Sequence, residues 1–169
     1  FMNGLKIIYP CSRRAVSGFF AACSIIVTSY AISLDGLHNM NSVFSKNIVG
    51  GCEEFAREND KNLAIAVVDS GGHLLAFSRM DGVPAGVGKI AHWKATSAAL
   101  YGMPTKTFQN LAEKDHYMFH LPNAAPVGGG EPVLLADGQV SGGVGVSGAS
   151  ADLDAECAKA GLARALANK

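Results

Sequence analysis

From Val140 to Ser147 the chain reads VSGGVGVS, and no other stretch limits the fold so tightly. Side chains alternate faces along a strand. Val140, Gly142, Val144 and Val146 then present one mostly apolar face, while Ser141, Gly143, Gly145 and Ser147 leave the other almost bare backbone. Glycine inside a strand costs stability and marks the close approach of something else. Small-on-small packing by a helix explains such a face most simply. A flat ligand or a second subunit are the other candidates for it.

A suitable helix lies upstream. Val87 to Leu100 carries a stripe of small residues, Ala91, Ala95 and Ala98, and Gly102 with Pro104 ends it. Before it, LAIAVVD and HLLAFSRM flank Ser70-Gly71-Gly72 and read as a β-hairpin. Ser42 to Asp60 has apolar residues at Ile48, Cys52, Phe55 and Ala56, the spacing of an amphipathic helix. Thr105 is placed to cap a short helix that buries Phe108 and Leu111. PVLLA and QVSGGVGV, joined by Asp137-Gly138, form a second hairpin. Ser150 starts a last helix with Leu153, Cys157, Ala160 and Leu166 spaced for burial. The order α-β-β-α-α-β-β-α predicts an α+β fold, an antiparallel sheet with helices packed on it.

Residues 1–33 read as something else. Ala15 to Leu34 holds no charged residue, Ser12-Arg13-Arg14 precedes it, and Ser29-Tyr30-Ala31 offers small residues to a peptidase. That pattern predicts an export leader of the twin-arginine type, with 34–44 as linker and 45–169 as the domain. A membrane anchor is the alternative, since about 20 apolar residues can span a bilayer. The Ser, Thr and Gly residues weaken insertion and favour the leader, which places the mature chain in a periplasmic or secreted setting, free of the membrane.

Charge excludes several partners. The 169 residues include 14 basic and 14 acidic ones, so no basic field exists for nucleic acid. Zero net charge also favours self-association. Neither Cys11, Cys23, Cys52 nor Cys157 forms a C-x-x-C pair. Cys52 and Cys157 occupy apolar helix positions, where a thiol behaves as a small hydrophobe. A disulfide between them does not follow from spacing.

Catalytic signatures are missing. Gly128-Gly129-Gly130 precedes a strand, not a helix, so it is no phosphate loop. No G-x-S-x-G elbow occurs. Of His38, His73, His92, His116 and His120, only the pair at 116 and 120 has the i, i+4 spacing of one helix face. Structural or surface roles suit lone histidines better than zinc ligation, and no metal is assigned. A single histidine does suffice for haem, and His92 beside Trp93 and Lys94 suits the wall of a ligand pocket.

Three stretches carry a resemblance: AVVDSGGHLLAFSRMDG (Ala66–Gly82), KATSAALYGMPT (Lys94–Thr105) and PVGGGEPVLLADGQVSGGVGVSGAS with its trailing acidic helix (Pro126–Cys157). Together they resemble the GlcG/HbpS-like family, which also supplies the C-terminal domain of PduO-type proteins. The resemblance implies a profilin-like sandwich, homo-oligomeric assembly and, for several members, haem bound near a subunit interface. It points to an exported haem-binding or haem-sequestering protein without turnover of its own. The candidate cofactor residues are His92, Lys94, Thr105, His116, His120, Gly143 and Gly145, with the axial ligand open between a histidine and a hydroxyl such as that of Thr105. The other reading is an enzyme or carrier for a small organic acid, after the glycolate-use loci of GlcG-type members. Lys94 and Arg79 would then pair with the carboxylate.

Overall fold

In the computed structural model, residues 40–167 are described; the leader segment and His38 lie outside them. Helix α1 (Ser42–Glu58) begins at Asn41, whose side chain accepts from the Phe44 N–H at 2.9 Å. It thus starts inside the stretch read as linker, and Met40 is already buried in the core. Strands β1 (Ala64–Asp69) and β2 (Leu74–Arg79) follow, then α2 (Ala85–Tyr101) and α3 (Thr105–Ala112). A 3-10 turn at His116–His120 leads to β3 (Gly130–Leu134), β4 (Val140–Ser147) and α4 (Ala151–Ala167). The sheet is antiparallel, in the order β2-β1-β4-β3. No helix among the described residues is long and apolar enough to cross a membrane.

Both faces of the sheet are covered, which is why β1 and β4 are buried along almost their whole length. Ile65, Val67, Val144 and Val146 point to one side, into a core shared with Phe44, Ile48 and Cys52 of α1 and Cys157 of α4. Ala64, Ala66 and Val68 point to the other, against Ala91, Ala95 and Ala99 of α2. The glycines of β4 make that second layer thin. A Cβ at Gly143 would lie 2.3 Å from the Ala95 carbonyl oxygen, and one at Gly145 2.1 Å from that of Ala91. Helix backbone rests directly on strand backbone. The predicted helix-on-glycine packing holds, with Ala99 rather than Ala98 completing the stripe.

Two expected core positions are corrected. Leu111 is 43% exposed and Leu166 48%. Helix α3 packs through Thr105, Phe108 and Ala112, and α4 through Asp154, Cys157, Ala158, Gly161 and Ala165, which turns both leucines toward solvent. Helix α4 buries an aspartate because α2 supplies it with a cation.

Candidate functional site

That cation is Lys94. Its Nζ donates to Asp154 Oδ2 and to the Val146 carbonyl, each at 2.9 Å, and both side chains are 2% exposed. Asp154 Oδ1 accepts from the Ala149 N–H. The glycine loop closes over the pair: a Cβ at Gly129, whose φ is +116°, would lie 2.7 Å from Lys94 Nζ. Gly128-Gly129-Gly130 therefore serves packing. Lys94 is committed inside the protein and cannot receive a ligand's carboxylate, contrary to the organic-acid reading.

Thr105 is equally committed. It is fully buried, and its Oγ1 accepts from the Gly130 N–H at 2.8 Å, pinning the start of β3. Helix α3 is entered from Pro104 with no side-chain cap, so Thr105 does not cap it as expected. Gly143 and Gly145 face α2 at backbone contact and leave no room for a macrocycle. His116 and His120 are exposed, on a 3-10 turn instead of an α-helix. With three residues per turn, positions i and i+3 coincide. His116 accordingly meets Phe119, ring centroids 6.0 Å apart, and the two imidazoles do not share a face.

His92 stands apart from these. It is exposed on the outer side of α2 and lines an open groove of about 290 Å³ with Leu74, Phe77, Arg79, Ala85, Gly88 and Lys89. The groove exists because of a β-bulge. Register shifts between Val67 and Val68, so that Ala66 faces Phe77 while Val68 faces Leu74. The extra residue reverses the alternation. Leu75 and Ala76 both pack on the α1–α4 side, and Leu74 joins Phe77 and Arg79 on the α2 side. Gly88 then makes space, since a Cβ there would lie 2.9 Å from Phe77 Cζ. Leu74 and Phe77 remain 48% and 44% exposed.

The groove thus groups an apolar floor, two cations and an imidazole. Sequence reasoning found His92 and, for a different ligand, Arg79. It missed Leu74, Phe77, Gly88 and Lys89. The family model of haem-degrading HbpS-like proteins matches residues 44–163. The chain belongs to the HbpS-like family. Within this family it is 40% identical over 101 residues to the protein GlcG of Escherichia coli K12, covering 59% of this chain and 75% of GlcG. The crystal structure of HbpS is similar with a TM-score of 0.70 and 28% identity, over 81% of this chain and 97% of that one. The PduOC–haem complex has the same fold, with a TM-score of 0.67 and 21% identity over 75% of this chain and 94% of that one. These HbpS-like relatives confirm the α+β architecture expected from the motifs.

Proposed function

We propose that this chain binds haem in the groove between β2 and α2. The observation that carries the proposal is the groove's composition: apolar Leu74 and Phe77, cationic Arg79 and Lys89, and His92, all lining one groove. Leu74 and Phe77 suit the macrocycle, Arg79 and Lys89 its propionates, and the His92 imidazole its iron. Haem itself supplies a redox-active iron; the chain's part is to hold it and shield it from water. The family membership and a solved haem complex of the same fold support this choice of ligand over a small organic acid.

At about 290 Å³ the groove lies just under the usual range for ligand pockets, roughly 300 to 1,000 Å³. It would cover one part of a tetrapyrrole and leave the rest to a second wall. The exposure of Leu74 and Phe77 on the open side of the groove favours a second copy of the chain as that wall. The export pattern of residues 1–33 supports action outside the cytoplasm, as a haem carrier or store.

Titration of the purified apo-protein with hemin tests the proposal. A saturable Soret shift is expected, altered in position or intensity by His92→Ala. A spectrum that matches free hemin at every ratio overturns it.

A further inference from the structure

Cys52 of α1 and Cys157 of α4 are fully buried where the two helices cross. The Cys52 thiol donates to the Cys157 carbonyl at 2.9 Å, and the Cys157 thiol donates to the Cys52 carbonyl at 3.3 Å. This reciprocity sets the two residues directly opposite each other. Glycines permit the approach. A Cβ at Gly51 would stand 3.2 Å from the Gly161 Cα, and one at Gly161 would stand 2.6 Å from Cys52 Sγ. A disulfide requires just such near backbones, with Cα atoms within about 7 Å, and facing Cβ atoms.

We propose that Cys52 and Cys157 are an oxidisable pair that cross-links α1 to α4. The reaction is thiol–disulfide exchange with a small disulfide. One cysteine loses its proton, and its thiolate attacks a sulfur of the small disulfide, expelling one thiolate that takes up a proton. The other cysteine then loses its proton and displaces the second small thiol from the mixed disulfide. Two protein thiols are oxidised to one disulfide, and the small disulfide is reduced to two thiols.

In the folded state the pair resists this chemistry. Its mutual thiol contact, and secondly its burial, push the Cys52 thiol well above its ordinary pKa, so little thiolate forms. Exchange therefore occurs while the chain folds, or when α4 lifts from α1. Once formed, the bond spans 105 residues of sequence. Closing so long a loop restricts the unfolded chain strongly.

The test uses the full chain with Cys11→Ser and Cys23→Ser, leaving only the two domain cysteines. The protein is refolded in oxidised and reduced glutathione, and separately in dithiothreitol. The expected result is a proteolytic peptide pair joined through Cys52 and Cys157, lost on reduction, with a thermal midpoint roughly 5 °C or more higher in the oxidised sample. A Cys52→Ala, Cys157→Ala variant should show no difference between the buffers. Native circular dichroism with two thiols still reactive in denaturant after oxidative refolding overturns the proposal. Cross-links found only between chains overturn it as well.

Discussion

Lys94 and Asp154, 60 residues apart in sequence, form a buried ion pair that ties α2 to the start of α4 beside the Val146 carbonyl of β4. Breaking one side of such a pair strands the other charge. Lys94→Met should cost about 3–5 kcal/mol in urea unfolding. Adding Asp154→Leu should recover much of that loss, because both charges are then gone. A loss under about 1 kcal/mol for the single variant, the size of a solvated pair, would show that Asp154 finds water instead.

A packed sheet glycine and an unpacked helix glycine should respond in opposite ways. Gly145→Ala drives a Cβ into the Ala91 carbonyl oxygen, which is backbone and cannot swing aside. The cost should be about 3 kcal/mol or the loss of the fold. Gly50, in α1, has nothing within 4 Å of its would-be Cβ. Gly50→Ala should stabilise by about 0.5–1 kcal/mol through helix propensity. Chemical denaturation of the two variants side by side measures both, and equal effects would contradict the packing described.

Gly88→Leu offers a way to fill the groove without opening the core. The new side chain meets Phe77 Cζ, the far end of a ring that is already 44% exposed and free to move outward. Folding should survive, while hemin affinity falls about tenfold or more, equivalent to about 1.4 kcal/mol. Unchanged affinity in a folded Gly88→Leu protein would move the haem site elsewhere.

Glu131 gives the stability a pH dependence. Its side chain is nine-tenths buried, with Lys159 at 3.6 Å. Burial, opposed by Lys159, raises its carboxyl above the ordinary value. The folded state therefore holds this proton more tightly than the unfolded chain does. Its stabilising contribution is complete below the ordinary carboxylate pKa, about 4.3, and is lost as pH rises through the raised value. Glu131→Gln should be more stable than the parent at pH 7, and the gap should narrow toward pH 4. A gap that widens on acidification would reverse the sign of the argument.

Element order was legible because hairpins announce themselves through Ser70-Gly71-Gly72 and Asp137-Gly138, and helices through their spacing. The α2–β4 contact was legible too, since alanine and glycine in register mean backbone proximity. What escaped was anything set by distant partners. Nothing near Lys94 reveals Asp154, and nothing near Thr105 reveals the Gly130 N–H. The i, i+4 spacing of His116 and His120 misled because Asp115 caps a 3-10 turn there, its side chain accepting from the Tyr117 N–H. Leu74 was hidden by the bulge: strict alternation places it opposite Phe77.

That bulge has a consequence for how such a groove is gained or lost in descent. Its floor depends on the parity of one edge strand: removal of the single codon for Leu75 would leave Leu74 two residues from Phe77 and on the same side, whereas pairing the same residues without the bulge would turn Leu74 away. The interior strands β1 and β4 would keep their pairing. A lineage can thus drop the extra residue and keep the binding surface, or keep the residue, lose the bulge and give the surface up, while the scaffold beneath goes on folding as before.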